Sequence, residues 1–159
     1  MASHPAIRNH GEPIISVKRL PHAEGLPLPS RMSSGASGFD MRAACLSSVE
    51  ILPMSRVLIE TGLCFEIPCG YEVQIRPRSG LAIKSGVTVL NSPGTIDADY
   101  RGEVKIILIN LGAQPYTVHR GDRIAQAVPA PVAYTAVLCE EIELSHTERH
   151  EGGFGSSGR

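Results

Sequence analysis

Between Gly94 and Gly102 the chain sets two carboxylates, a tyrosine and an arginine in the stretch Gly94-Thr-Ile-Asp-Ala-Asp-Tyr-Arg-Gly-Glu103. Asp97 and Asp99 are two apart, so an extended backbone would turn both to one face and Ala98 and Tyr100 to the other. An ionised carboxylate beside a glycine turn only accepts hydrogen bonds, which suits it to orienting and deprotonating a water. A hairpin with polar ends carries the same letters, so the D-x-D alone leaves both readings open. Its company favours chemistry. Pro77-Arg-Ser-Gly-Leu-Ala82 comes before it, Gly121-Asp-Arg-Ile-Ala-Gln126 after it, and Arg149-His-Glu-Gly-Gly-Phe-Gly-Ser-Ser-Gly158 near the end. In each, glycine lets backbone N–H groups approach a ligand, while Arg, Ser and Asp supply charge-assisted contacts.

Short strands must position these groups. Tyr71, Val73 and Ile75 alternate with Glu72, Gln74 and Arg76, and Val104, Ile106 and Leu108 alternate with Glu103, Lys105 and Ile107. A period of two means strands with one buried face. A first strand is expected over Ile14 to Leu20 and further strands over Tyr116 to His119, Arg123 to Val128 and Val132 to Leu138; Val49 to Pro53 and Arg56 to Glu60 are short apolar runs, and Ser33 to Gly38 is a small, flexible lead into Phe39 to Ala44. Gly62 and Pro68 are expected to punctuate the chain, Asn110 to Pro115 to turn, and Pro21 to Ser30 to be loop. Only Leu81 to Lys84 reads as helix, for about one turn. Strands about ten residues apart predict an all-β domain, a jelly-roll-like β-sandwich or small barrel. The domain is expected over residues 1–148. Residues 149–159 have glycines and serines but one large apolar group, Phe154, so they are expected to form a flexible C-terminal tail.

Composition narrows the partners. With 159 residues the chain has length for one domain with its own core. A formal net charge of −1 argues against a broad nucleic-acid or membrane surface while allowing one small anionic ligand. The chain has no Trp and few aromatics, so bases of a single strand would find little to stack on. The four cysteines, at 45, 64, 69 and 139, match no zinc spacing and read as reduced, mostly buried thiols of a cytoplasmic protein. No signal peptide or spanning segment is visible.

Several motifs fail on context. Gly153-Phe-Gly-Ser-Ser-Gly158 spells G-x-G-x-x-G but has no helix after it and no room for a βαβ unit. His22-Ala-Glu24 with Pro68-Cys69 has the start of a zinc deaminase signature, yet Glu72 stands where its second cysteine belongs. The six histidines are expected on the surface or in loops.

Five segments in register resemble the signature of the trimeric dUTPases. They are Ser37-Gly-Phe-Asp-Met-Arg-Ala-Ala44, Arg76 to Lys84, Asn91 to Glu103, Gly121 to Gln126 and Arg149 to Gly158. The likeness spans almost the whole chain. Phe39 stands where that family more often has Tyr, His150 where a small residue is common, and Ser157 in place of the more usual Thr.

The resemblance implies hydrolysis of dUTP to dUMP and pyrophosphate by water attack on the α-phosphorus. That activity would limit uracil incorporation into DNA and supply dUMP for thymidylate synthesis. In this comparison Asp97 is the general base. Asp99 is read as structural, pairing with an arginine. Ser79 and Gly80 would contact the α/β-phosphates with help from Arg78, although a plain helix cap at Ser79 fits the residues equally. Gln126 would lie near the α-phosphate, or else be a mere edge residue.

Asn91, Gly94, Thr95, Ile96, Tyr100 and Lys105 would belong to the base and sugar pocket. A backbone that pairs with the uracil edge would reject cytosine, whose donors and acceptors are reversed. Tyr100 would lie against the deoxyribose and leave no room for a 2′-hydroxyl; a core tyrosine is the bland alternative. Phe154 would stack on uracil, with Arg149, Gly155, Ser156 and Ser157 around the γ-phosphate. Mg²⁺ is expected on the substrate phosphates, with Asp40 reaching it through water. A turn aspartate after Gly38 remains the other reading of Asp40. The resemblance also implies a homotrimer whose sites are shared between subunits. A dCTP deaminase and a binding protein without turnover are the rival functions.

Overall fold

The computed structural model describes residues 13–152. Ten strands and one helix follow in order: β1 Ser16–Arg19, β2 Phe39–Arg42, β3 Val49–Ile51, β4 Arg56–Glu66, β5 Tyr71–Arg76, α1 Ser79–Ser85, β6 Val87–Val89, β7 Gly94–Ile96, β8 Glu103–Asn110, β9 Tyr116–Val118 and β10 Arg123–Pro131. One sheet has the order β1-β4-β8-β6, a second β2-β10-β5-β7, and β3 pairs with β9 alone. All pairings are antiparallel. Non-sequential neighbours in both four-stranded sheets make this a β-sandwich of the expected kind.

Alternation decides what each strand buries. In β8, Val104, Ile106 and Leu108 are buried, while Lys105 between the first two is exposed. In β5, Val73 and Ile75 turn inward. These side chains join Met41, Ile51, Ile59, Val118 and Ile124 in one apolar cluster shared by all three sheets. Two polar side chains are buried with them. Thr61 donates to Val104 O, and Asn110 donates from Nδ2 to Ile51 O and Gln114 O, both at 2.8 Å, while its Oδ1 accepts from Gly112 N. Every hydrogen-bonding group of Asn110 is thereby used where an unpaired one would be costly. It also pins the turn after β8.

The structure corrects several sequence expectations. β4 does not stop at Gly62. It runs to Glu66, and its register with β8 shifts between the pairs Glu60↔Lys105 and Cys64↔Glu103. Gly62, at φ 63°, absorbs that bulge in a conformation a side chain disfavours. The helix is seven residues long and starts at Ser79, and Val87–Val89 forms a strand too short for its period to be read. The extended backbone expected through Asp97 and Asp99 ends at Ile96. A turn follows, closed by Tyr100 N donating to Asp97 O at 3.2 Å. Residues Val132 to Leu138 make no strand, because no sheet edge within the chain pairs with them. The apolar side chains Val137, Leu138, Ile142 and Leu144 are consequently exposed. Of the cysteines, Cys45 is buried, Cys64 is intermediate, and Cys69 and Cys139 are exposed.

Candidate active site

The candidate residues fall into two groups. The first gathers where β2, β10 and the start of α1 meet. Asp40 and Gln126 stand opposite each other in the β2–β10 ladder. The Asp40 carboxylate lies between two guanidinium groups, 3.0 Å from Arg123 Nη1 and 3.4 Å from Arg78 Nε. Arg78 also donates to Arg123 O at 2.9 Å, and Gln126 donates to Pro77 O at 3.0 Å. The turn-aspartate alternative for Asp40 fails, since the residue lies in β2. Arg78 is the helix N-cap residue and Ser79 the first residue of α1, with no side-chain cap bond. The first bonds of the helix run from Leu81 N and Ala82 N to Arg78 O, so the exposed amides of Ser79 and Gly80 are left without a helical acceptor. Arg123 was not singled out from the sequence. Its signal was present in Gly121-Asp-Arg-Ile-Ala-Gln126, three residues from Asp40's ladder partner.

The second group surrounds a cavity of about 300 Å³ between β7, the turn after it and the start of β8. Its walls include Thr95, Ile96, Asp97, Tyr100 and Lys105, all expected from sequence, together with Leu58, Glu103 and Val104. Asn91 lies just ahead of β7, which Gly94 opens, and Asn91 Nδ2 packs against Gly94. Asp97 is exposed, and among the described residues no ion pair engages its carboxylate. Asp99 is exposed too and has no arginine partner among those residues; Arg101 turns instead to Ala98 O and Tyr100 O, at 2.6 and 3.1 Å. Tyr100 is not a core residue, being 44% exposed. Its hydroxyl donates to Glu103 O at 3.0 Å.

Charge in this wall is balanced locally. Lys105 Nζ lies 2.9 Å from Glu60 and 3.5 Å from Glu103. The bond to Glu60 holds the ammonium above its ordinary pKa. Burial pushes the Glu103 carboxyl up, but hydrogen bonds from His22 and Gly62 N outweigh it and leave the group below the usual carboxylate value. His22, in the connection between β1 and β2, is thus half-buried and paired.

The two groups sit at opposite ends of the sandwich. Ile96 pairs with Val73, so Asp97 lies toward the Glu72 end of β5, while Arg78 and Ser79 follow its other end at Arg76. Four residues of strand separate those ends by about 13 Å. β8 repeats the measurement: Lys105 borders the cavity near its start, whereas Leu111, just past its end, bonds to Gly86 behind α1. Arg149 is exposed and donates from Nε to Gly152 O at 2.8 Å; Phe154, Gly155, Ser156 and Ser157 lie outside the described residues.

The sandwich class is shared with solved enzymes. Staphylococcus bacteriophage 80alpha dUTPase, as its G164S mutant with dUpNHpp, matches with a TM-score of 0.81 at 28% identity, over 92% of this chain and 99% of that one. The same phage enzyme with dUPNHPP matches with a TM-score of 0.78 at 30% identity, over 92% and 99%. Sequence narrows the class to a family. The deoxyuridine 5′-triphosphate nucleotidohydrolase of Beijerinckia indica is 58% identical over 148 residues, 92% of each chain. That of Brucella melitensis is 55% identical over 92% of this chain and 94% of its own. The dUTPase family model matches residues 24–158, and the chain belongs to the dUTPase family.

Proposed function

We propose that this protein hydrolyses dUTP to dUMP and pyrophosphate, with Asp97 as the general base. The observation that carries this is the Asp97 carboxylate, exposed on the wall of the Tyr100 cavity and in no ion pair among the described residues, in a chain of the dUTPase family. Uracil and deoxyribose occupy that cavity, against the Asn91 to Ile96 backbone, Tyr100 and Lys105. The phosphates run to Ser79, Gly80 and Arg78, where free amides and a guanidinium favour an anion. Asp97 takes a proton from a water as that water's oxygen bonds to the α-phosphorus. The bond from the α-phosphorus to the bridging oxygen breaks, and pyrophosphate leaves. Gln126 orients groups at the α-phosphate. Little covalent chemistry falls to the protein, and its work is alignment and charge neutralisation.

The donor set bears on a metal. Among the described residues no group of three or more His, Cys, Asp and Glu is placed to hold an ion. Asp40 offers a hard oxygen in the cationic group, and it is already engaged by two arginines. This suits Mg²⁺ carried on substrate phosphates with Asp40 reaching it through water, the usual habit of an ion that keeps its waters. When bound, the ion neutralises phosphate charge.

The separation of the two groups supports a homotrimer with shared sites. One triphosphate bridges an Asp97 cavity on one subunit and an Arg78–Ser79 group on another. The exposed apolar side chains of residues 137–144 support the same assembly, since burying them needs a second copy. Residues 149–159, beyond a β domain ending at 148, close over the γ-phosphate and the base through Arg149, Phe154, Gly155, Ser156 and Ser157. A chain ending at Glu148 should keep its Tm and lose most turnover, because residues 139–151 contribute no buried side chain. Likewise, no described helix is long and apolar enough to cross a membrane.

Pyrophosphate release measured across dUTP, dCTP, dTTP and UTP tests the reading. Release confined to dUTP is expected. Ammonia from dCTP, or equal turnover of dUTP and dCTP, would sink it.

A further inference from the structure

We propose that His22 and Glu103 form a positioning relay that sets the tilt of Tyr100, and with it the choice of deoxyribose over ribose. The inference rests on the reading of Tyr100 as the group that lies against the sugar. It starts from how little holds that ring. Tyr100 is half-exposed and belongs to a turn, and its hydroxyl has one tether, Glu103 O at 3.0 Å. The ring crosses Gly102 so closely that a Cβ there would collide with the hydroxyl. Wherever the Glu103 main chain goes, the ring follows.

Glu103 is in turn held by its side chain. It opens β8 where the ladder to β4 is interrupted by the bulge at Gly62. The bulge turns Gly62 N out of the ladder, and it donates to Glu103 Oε1 at 2.7 Å. His22 Nε2 donates to the same oxygen at 2.8 Å, and Lys105 Nζ, itself shared with Glu60, faces Oε2 at 3.5 Å. Three donors from three elements therefore stand in for the missing ladder bonds. The carboxylate is only 12% exposed, so the charge-assisted bonds to it are shielded from water.

His22 comes on a rigid mount. Its short 3-10 turn, Pro21–Ala23, is clamped by Arg120, which donates to His22 O at 2.6 Å, Glu24 O at 2.9 Å and Ala44 O at 3.2 Å. Leu20 N donates to Gly62 O at 2.8 Å, which locks the turn to the bulge that also contacts Glu103. Among the described residues the His22 side chain's hydrogen bond to the cavity wall is the one to Glu103, so its effect on the sugar is indirect.

The test uses the full-length protein. His22→Ala is expected to lower the ratio of kcat/KM for dUTP over UTP by about three- to ten-fold, the worth of one hydrogen bond. The kcat for dUTP should stay within about two-fold. His22→Gln, which keeps an N–H donor, should restore most of the ratio; a purely structural loss would not be rescued selectively. The Tyr100 ring resonance, assigned with Tyr100→Phe, should shift in His22→Ala and return in His22→Gln. An unchanged ratio in His22→Ala, where Tyr100→Ala does change it, overturns the proposal. If Tyr100→Ala leaves the ratio unchanged, the sugar reading has failed instead. The ring resonance then decides the relay by itself: a shift supports it and no shift overturns it.

Discussion

The Asp40 group and the Asp97 cavity contain similar residue types but hold them in opposite states. Asp40 is satisfied within the chain by Arg78 and Arg123, which in turn are fixed by strand register and by Arg123 O. Asp97 stands exposed with its carboxylate unpaired among the described residues. A paired carboxylate orders the cations around it and serves as scaffold. An unpaired one leaves its oxygens open to a water, which a base must reach. Sequence spacing gives no hint of this difference. It arises because β2 faces a strand that carries arginine, whereas the turn after β7 faces a cavity.

The sharpest way to break the contrast is Asp97→Asn. The amide keeps the shape and cannot take the proton, so turnover should fall by about 10²–10⁴-fold with dUTP binding retained. Steady-state kinetics beside a binding titration would decide it, and near-normal turnover would remove Asp97 from the mechanism.

Separation of the two groups predicts complementation. Asp97→Asn chains and Ser79→Ala chains, each of low activity, should regain about a quarter of wild-type activity when unfolded together and refolded one to one. In a symmetric trimer a site drawing Asp97 and Ser79 from different subunits has both intact in about one of four cases. No recovery would mean that both residues of a site come from one chain.

The smallest effect sharpens the contrast on the cavity side. Glu103 has a folded pKa below its ordinary value near 4.5. Its carboxylate thus contributes stability that is present above that value and lost as pH falls through the lower, folded one. Glu103→Gln should cost about 1–2 kcal/mol near neutral pH. Denaturant titrations of both proteins should converge below pH 4.5, and a gap independent of pH would mean that the charge is not what stabilises.

Much of the fold was legible before any coordinates. Alternation in Tyr71 to Arg76 and Glu103 to Leu108 forecast two strands and their buried faces, because a period of two leaves its mark on which residues are apolar. The Asp97 stretch and the Arg78–Ser79 segment were legible as candidates for chemistry, because each sets polar groups near glycine; Gln126, within β10, was legible as one only through the family likeness. The bulge at Gly62 and the strand Val87–Val89 were hidden: one interrupts a period and the other is too short to show one. The strand expected at Val132 to Leu138 failed because a strand needs an edge, and local composition does not supply a partner.

Sequence by itself determined the all-β class, the candidate base and the family likeness, since these depend on residue type and near-neighbour spacing. Only tertiary structure decided which carboxylate is free, that His22 reaches Glu103 across 81 positions, and that Asp97 and Ser79 stand at opposite ends of β5. Pairing, burial and distance are properties of chain segments brought together from far apart, and strand register, which sets them, is written in no one segment.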